Sequence, residues 1–314
     1  MKIYITYTKN SFTDIQLKEL SNVGELIFQE EFFNLDDAPY LKDDEEKILV
    51  IDPDWYNWNV DKNHLSKIKN LKGICLSTTA YDWVDLDYCK NNNIVVCNIP
   101  KYSTDSVAEY AIFLMLSLAR KYPIQAKMDY KVDYSKEMLA NEIKGKTVGI
   151  IGLGTIGTKI ANMCNGLGMK VIYWSRSEKD NNYQRVDLDK IFSEADFIFP
   201  AFSTNDETKK IITDELINKM NGKALINVIN NSREIYNHDL VIKKAENKEI
   251  SYAFELYGDM KKMYEYKGNI MAVAPYAFYT KEAMDRLIAI WCDNVIAVVN
   301  NNPQNIVNKW TREI

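Results

Sequence analysis

Short apolar segments alternate with longer amphipathic segments along nearly the whole chain. Most of the apolar segments are continuous and are bounded by Gly, Asp, Asn or Pro, which is typical of strands buried on both faces of a sheet. Helical patterns fill the gaps, so the sequence predicts an α/β fold with parallel sheets. The predicted strands are Ile3–Tyr7, Lys47–Ile51, Gly73–Ser77, Ile94–Cys97, Thr147–Ile151, Lys170–Trp174, Asp196–Phe199, Ala224–Val228, Ser251–Leu256 and Ile270–Ala274.

The longest helical pattern, Thr104–Lys121, differs from the others because it is apolar almost all round. A helix on the surface of a monomer normally carries one polar face. We therefore expect this helix to be buried between domains or between subunits, and we favour subunits.

Composition narrows the class of protein. The chain has 314 residues, which suggests two domains, and 46% of them are hydrophobic, which excludes a disordered chain. Its net charge of −5 argues against a general binder of nucleic acid or of anionic membranes. We find neither a long apolar span nor a signal-peptide pattern. The five cysteines are scattered and the two histidines are far apart in sequence, so we expect reduced thiols, no metal site and a cytoplasmic location.

One glycine-rich segment carries clear chemistry. The strand Thr147–Ile151 runs directly into the sequence GLGTIG, and an amphipathic helix follows. The first glycine permits a tight turn, the second lets a pyrophosphate approach the backbone, and the third lets the helix pack on the strand. We interpret the segment as a dinucleotide site; the alternative is a glycine-rich turn without a ligand. The predicted cofactor contacts here are Gly152, Gly154, Thr155, Ile156 and Gly157.

The end of the next strand bears on the choice of cofactor. Lys170–Trp174 is followed by Ser175, Arg176 and Ser177, and no carboxylate occurs before Glu178. A protein that binds NAD usually places Asp or Glu here for the ribose 2′-hydroxyl, whereas an arginine between two hydroxyls suits a 2′-phosphate. We therefore predict NADP(H), with NAD(H) possible if Arg176 is only a solvated surface side chain.

Several longer motifs resemble the D-isomer-specific 2-hydroxyacid dehydrogenase family, across nearly the whole chain. Leu76–Lys121 is similar to the family's substrate loop, hinge and dimer helix, and KGKTVGIIGLGTIG is similar to its cofactor signature. Gly222–Val228 (GKALINV) is similar to the strand that leads to its catalytic arginine. The portion CNIPKYSTDSVAEYA most resembles glycerate dehydrogenases and hydroxypyruvate or glyoxylate reductases.

The resemblance implies a Rossmann dinucleotide-binding domain inserted into a flavodoxin-like substrate domain, with nicotinamide and substrate in a cleft between them. The substrate domain would comprise residues 1–100 and 287–314, and the Rossmann domain residues 101–286. It further implies a homodimer through Thr104–Lys121 and a 2-oxo or 2-hydroxy acid as substrate. The implied substrate contacts are Thr78, Thr79, Ala80 and Tyr81, and the further implied cofactor contacts are Pro200, Val228 and Glu255.

The sequence departs from the family's catalytic set. In relatives an arginine clamps the substrate, and a glutamate supports a histidine that follows a proline and exchanges the proton. Here the Pro-His pair reads Pro275-Tyr276, and the glutamate position falls at Asp259. The arginine position is Asn230 in an ungapped alignment, whereas a short insertion would let Arg233 serve instead.

Reduction of a 2-oxo acid needs a proton donor, and Tyr276 is the candidate. A tyrosine with its ordinary pKa of about 10 accepts a proton poorly near neutrality unless a cation lies nearby. Arg233 could supply that cation, with Lys261 and Lys262 less favoured. The leading hypothesis is an NADP(H)-dependent oxidoreductase; the alternatives are an inactive dinucleotide-binding sensor or scaffold and an oxidoreductase for a substrate without a carboxylate. The aromatic segment Asp52–Trp58 could either cover a substrate larger than glyoxylate or simply pack.

Overall fold

The chain folds into two compact units, each built around one parallel sheet. The computed structural model describes residues 1–179, 182–205, 207–229 and 232–308. One unit comprises Met1–Ser103 and Lys281–Ile314, and the other comprises Thr104–Thr280. The predicted α/β class with parallel sheets is confirmed. Over the described ranges, no helix is long and apolar enough to cross a membrane, and no three His, Cys, Asp or Glu residues form a metal-binding group.

The first unit contains a five-stranded sheet in the order β2-β1-β3-β4-β5. All residues of the central strand β3 are buried, because helices and loops cover both faces of the sheet. The indole N–H of Trp291 donates to the carbonyl of Cys75 at 2.8 Å, which fixes the last helix on the sheet. The elements are β1 (Lys2–Ile5), α1 (Asp14–Val23), β2 (Glu25–Phe28), β3 (Lys47–Ile51), α2 (Lys62–Leu65), β4 (Leu71–Leu76), α3 (Leu86–Asn91), β5 (Val95–Cys97) and, after the second unit, α11 (Lys281–Val299).

The second unit contains a seven-stranded sheet in the order β12-β11-β10-β9-β6-β7-β8. The chain order reverses between β6 and β9, and open parallel sheets bind ligands outside the carboxyl ends of the strands at such a point. Its elements are α4 (Thr104–Ala119), α5 (Tyr122–Lys127), β6 (Thr147–Ile151), α6 (Thr155–Gly166), β7 (Lys170–Trp174), β8 (Gln184–Arg185), α7 (Leu188–Glu194), β9 (Phe197–Pro200), α8 (Asp214–Asn218), β10 (Ala224–Asn227), α9 (Ser232–Ile235), α10 (His238–Glu246), β11 (Ser251–Glu255) and β12 (Ile270–Val273).

Helix α4 is covered on one side only. It packs against α6 and the neighbouring strands β10 and β11, and it buries residues such as Leu114 and Met115. On its other side, however, Phe113 is 47% exposed and Leu116 is 38% exposed. Within this unit the exposed side of the helix carries Glu109, Phe113 and Leu116, so two of its three exposed residues are apolar.

Candidate functional site

The loop between β6 and α6 has the geometry that a pyrophosphate requires. Gly152 has φ of 98°, and a Cβ on it would lie 2.7 Å from the carbonyl oxygen of Ala201. A Cβ on Gly157 would lie 2.0 Å from the carbonyl oxygen of Gly152, so this glycine lets the helix approach the turn. A Cβ on Gly154, in contrast, would have no heavy atom within 4 Å. Gly154 also leaves the start of α6 without a side-chain cap, so the first amides of the helix are available to an anion.

The backbone after β7 is anchored from the neighbouring strand β8. Arg185 donates from Nε and Nη2 to the carbonyl of Ser175 at 3.2 and 2.8 Å, and from Nη2 to the carbonyl of Arg176 at 3.1 Å. The buried hydroxyl of Ser175 donates to the carbonyl of Ser177. The guanidinium of Arg176 pairs with Glu207, and both side chains are about two-thirds exposed. A rigid turn thus displays Arg176 where the adenosine ribose of a dinucleotide is bound in this fold.

The carboxyl group of Glu255 lies at the end of β11, which is on the opposite side of β6 from β7 in the same sheet. Glu255 accepts the N–H of Ala277 at 3.1 Å and the hydroxyl of Tyr257 at 3.2 Å. Burial raises the pKa of Glu255, and the two hydrogen bonds oppose this only in part. Tyr110 on α4 lies close enough that the charge of Glu255 adds to burial in raising the pKa of this tyrosine to about 12.

The turn after β12 presents Tyr276 to solvent. The N–H of Tyr276 donates to the carbonyl of Ala274 at 2.8 Å, and its side chain is 62% exposed. The buried hydroxyl of Ser106 on α4 donates to the carbonyl of Ala277 at 2.6 Å, which holds the turn on the helix. Because the N–H of Ala277 also donates to the carboxyl group of Glu255, the turn that carries Tyr276 is fixed beside that group.

Two buried polar atoms near the ends of β9 and β10 have no hydrogen-bond partner among the residues that the structure describes. These are the hydroxyl of Thr204 and the Oδ1 atom of Asn227, whose amide nitrogen donates to the carbonyl of Ile229 at 3.0 Å. A buried polar atom without a hydrogen bond costs free energy and calls for an explanation, such as a ligand that is bound there in the working protein. Pro200 and Val228, both predicted cofactor contacts, flank these positions at the ends of the same two strands.

In the first unit, the loop after β4 is closed by its own hydrogen bonds. The Thr78 hydroxyl donates to the carbonyl of Ala80 at 2.7 Å, and the indole of Trp83 donates to the same carbonyl at 3.0 Å. The Thr79 hydroxyl donates to the carbonyl of Ile99 at 2.9 Å, while Tyr81 is 42% exposed. The four predicted substrate contacts therefore lie on a braced turn.

The aromatic side chains of Asp52–Trp58, the segment after β3, differ in their exposure. Tyr56 is buried, which agrees with the packing interpretation, whereas Trp58 is 47% exposed. The ring centroid of Trp58 lies 6.2 Å from that of Trp83, whose indole binds the Thr78–Tyr81 turn, so the segment packs beside that turn.

Comparison with known proteins identifies the family. A family model described as "D-isomer specific 2-hydroxyacid dehydrogenase, NAD binding domain" matches residues 112–255. A curated relative of Staphylococcus epidermidis, named as a 2-hydroxyacid dehydrogenase, is 30% identical over 265 residues, which are 80% of this chain and 83% of the relative. The chain belongs to the D-isomer-specific 2-hydroxyacid dehydrogenase family. This confirms the resemblance found in the sequence, and it makes the protein an oxidoreductase of an NAD(P)-binding family.

Solved structures share the fold of this family member. An acyclic imino acid reductase in complex with NADPH and D-Arg is 24% identical with a TM-score of 0.82, covering 98% of this chain and 100% of that chain. The D-lactate dehydrogenase of Aquifex aeolicus complexed with NAD and lactic acid is 23% identical with a TM-score of 0.78, covering 96% of both chains.

The predicted catalytic residues of this family member do not come together as the sequence led us to expect. Asn230 lies outside the described residues. Arg233 on α9 pairs with Asp239 at 3.2 Å, and both side chains are exposed. Asp259 accepts the N–H of Lys261 at 3.0 Å and so caps its own 3-10 helix. No contact in the described part of the chain joins Arg233 or Asp259 to Tyr276, where sequence reasoning expected one of them to lie.

Neither histidine is available as a proton donor at neutral pH. His64, in the first unit, is buried and shares a hydrogen bond of 2.8 Å with Tyr40. His238, in the second unit, is buried and shares one of 3.0 Å with Tyr252. Burial lowers the pKa of both, that of His238 to about 4, so both are neutral at physiological pH. Sequence reasoning missed Arg185, Glu207, Tyr257 and Tyr110. Arg185, Glu207 and Tyr110 reach the site from other elements, whereas Tyr257 lies two residues from Glu255.

Proposed function

We propose that this 2-hydroxyacid dehydrogenase family member is an NADP(H)-dependent reductase that transfers a hydride between nicotinamide and C2 of a 2-oxo or 2-hydroxy acid. The observation that carries the proposal is that two features occur in the same unit: an open phosphate turn at Gly154, and Arg176 on an anchored backbone at the end of β7. The first feature suits any dinucleotide, and the second suits one with a 2′-phosphate.

The residues at the strand ends fit such a cofactor in three groups. The amides of the turn from Gly152 to Gly157 would hold the pyrophosphate, and Ser175, Arg176 and Ser177 would hold the 2′-phosphate. Pro200, Val228 and Glu255 would line the nicotinamide half of the edge. When bound, the cofactor supplies the hydride. The solved imino acid reductase with NADPH supports this choice, whereas the solved D-lactate dehydrogenase with NAD supports NAD(H) as the alternative.

The substrate side of the proposal uses the residues that the family resemblance implies. The amides of the braced turn Thr78–Tyr81 would bind the substrate carboxylate, and Tyr276 would donate a proton to the carbonyl oxygen as the hydride arrives. Arg233 or Asn230 would serve as the second anchor for the carboxylate. The solved imino acid reductase also supports a second class of electrophile, a C=N bond in place of C=O.

We also propose that the protein acts as a homodimer. Phe113 and Leu116 form an exposed apolar stripe on α4, and Val132, Tyr134 and Leu139 in the following segment are 78%, 96% and 69% exposed. Exposed apolar surface on this scale is typical of a protein interface. A second copy of the chain would cover it.

A non-catalytic dinucleotide sensor or scaffold is the second candidate function. The observation in its favour is that the predicted alignment puts Tyr276 and Asp259 at the family's histidine and glutamate positions and leaves the arginine position to Asn230 or Arg233, while the phosphate turn is intact. The deciding experiment measures oxidation of NADPH against a panel of 2-oxo acids, together with titration of NADPH into the protein. Turnover with any acid supports the reductase; NADPH binding with no turnover throughout the panel, with or without ammonium, supports the sensor.

A further inference from the structure

The carboxyl group of Glu255 has hydrogen-bond donors around it but no positive charge. Its two partners, the amide of Ala277 and the hydroxyl of Tyr257, are both neutral. Over the part of the chain that the structure describes, Glu255 forms no ion pair, and no cation contributes to its pKa. A carboxylate removed from water without a cation is unfavourable. The site is therefore complementary to a positively charged ligand group.

The three neighbours that the structure places around Glu255 are uncharged at neutral pH. Tyr110 faces it from α4, Tyr257 from its own loop, and the amide of Ala277 from the turn after β12. Burial raises the pKa of both tyrosines, which keeps their hydroxyls protonated. A cation bound beside Glu255 would thus meet one negative charge and several dipoles, and none of these three neighbours would compete with it as a cation.

The kind of electrophile that the site can reduce depends on the source of the proton. A ketone needs a proton on its oxygen as the hydride arrives at carbon. Both histidines are buried and neutral, and Tyr276 is left as the donor for a carbonyl substrate. A protonated imine already carries the proton on nitrogen, so hydride transfer completes the reduction without an acid from the protein.

We propose that this site reduces the protonated imine of a 2-oxo acid, and that Glu255 is the carboxylate that pairs with the cationic nitrogen. The inference rests on the proposed function, since it uses the same cofactor and the same carbon atom. Ammonium condenses with the 2-oxo acid and releases water to give R–C(=NH₂⁺)–COO⁻, and a protonated primary amine gives the N-substituted iminium in the same way. The hydride then adds to C2, the C=N electron pair moves to nitrogen, and NADPH becomes NADP⁺. The amine product takes up a proton from solvent.

The test compares one 2-oxo acid with and without ammonium chloride, at constant ionic strength and mildly alkaline pH. We expect NADPH oxidation by the wild type to rise at least about tenfold with ammonium, and the product to be an amino acid on chromatography. Glu255→Gln, which keeps the shape of the side chain, should remove most of this gain. Glu194→Gln is the matched control, because Glu194 is an exposed glutamate of the same unit that pairs with Lys190.

A binding measurement gives a readout that does not depend on turnover. With NADP⁺ present, we expect Glu255→Gln to weaken calorimetric binding of the 2-amino acid product at least about tenfold, and that of the matching 2-hydroxy acid by less than twofold. Equal weakening of both, or weaker binding of NADP⁺ alone, assigns Glu255 to the cofactor and overturns the inference.

The outcomes separate this inference from the function on which it rests. Reduction of the 2-oxo acid with no gain from ammonium overturns the imine inference and leaves the proposed function standing. NADPH binding without turnover of either substrate overturns both.

Discussion

The guanidinium group of Arg176 contacts the carboxylate of Glu207, in the loop that follows β9. Both side chains are largely exposed, and an exposed ion pair contributes little to stability. A 2′-phosphate carries more negative charge and accepts two parallel hydrogen bonds from an arginine. We therefore expect a phosphorylated cofactor to displace Glu207 from Arg176, and the charge of Glu207 to oppose the binding of that cofactor.

Substitutions in this pair should change cofactor choice in opposite directions. We expect Arg176→Ala to weaken NADPH binding at least about tenfold and NADH binding by less than about twofold, because only NADPH loses a charge-assisted hydrogen bond. Glu207→Gln should strengthen NADPH binding a few-fold, because it removes a like charge. Fluorescence titration measures both, with Lys190→Ala as a surface control. NADH binding as tight as NADPH binding in the wild type would contradict the prediction.

The glycine turn allows a test that separates folding from cofactor binding. A methyl group on Gly154 meets no protein atom within 4 Å, so Gly154→Ala should leave the thermal unfolding temperature nearly unchanged and weaken NADPH binding at least about tenfold. Gly157→Ala should instead lower the unfolding temperature, because its methyl group would lie 2.0 Å from the Gly152 carbonyl. Gly166→Ala, equally open but at the far end of α6, is the control. Unchanged NADPH affinity in Gly154→Ala would count against a pyrophosphate at this turn.

Local patterns were enough to predict most of the fold. Each of the ten predicted strands is present within a few residues, because a strand buried on both faces leaves a continuous apolar segment. The two missed strands are at the edges of the sheets. Glu25–Phe28 is only partly buried, and Gln184–Arg185 has two exposed polar residues, so neither leaves that signal.

The site was predictable only where one short segment builds it. The phosphate turn is six consecutive residues, and its motif reports the geometry directly. The contact of Glu255 with Ala277 spans 22 residues, and that of Arg185 with Arg176 depends on the pairing of β7 with β8. Such partners are set by strand order and turn conformation, which a single sequence does not encode in any short motif.

The uncovered face of α4 predicts a homodimer that one charged substitution can weaken. Phe113 is 47% exposed on a helix whose opposite side is buried. We expect light scattering at micromolar concentration to give the mass of a dimer for the wild type and a shift towards monomer for Phe113→Glu, because a buried carboxylate at an interface is unfavourable. Ile15→Glu, at a 71% exposed position of α1 in the other unit, should stay dimeric. A monomeric wild type would rule this interface out.

Tyr276→Phe tests the proton donor for a carbonyl substrate. General acid catalysis contributes about 10²–10⁴-fold, so turnover of a 2-oxo acid should fall at least about tenfold. NADPH affinity should stay nearly constant, because the substitution removes only a hydroxyl group from an exposed side chain. Tyr279→Phe, on the neighbouring ring of the same turn, is the matched control. Full turnover in Tyr276→Phe would show that the hydroxyl takes no part in carbonyl reduction.

His238 predicts how the stability of the second unit depends on pH. Its imidazole is buried against Tyr236, Tyr252 and Phe254, and burial, reinforced by the charge of Arg233, lowers its pKa from 6.5 to about 4. Between these two values the unfolded chain binds the proton and the folded chain does not, so protons favour unfolding. The folded state therefore loses stability as the pH falls below about 6.5, by roughly 2 kcal/mol at pH 5.

Removing the titrating group should remove this part of the pH dependence. His238→Asn keeps an acceptor for the hydroxyl of Tyr252 but has no proton to gain, so it should be less stable than the wild type at pH 7.5 because packing is lost. On moving to pH 5.0, however, the variant should lose roughly 2 kcal/mol less than the wild type does. Urea unfolding followed by circular dichroism at both pH values measures the difference. Equal losses in the two proteins would mean that His238 titrates in the folded state as it does in the unfolded chain.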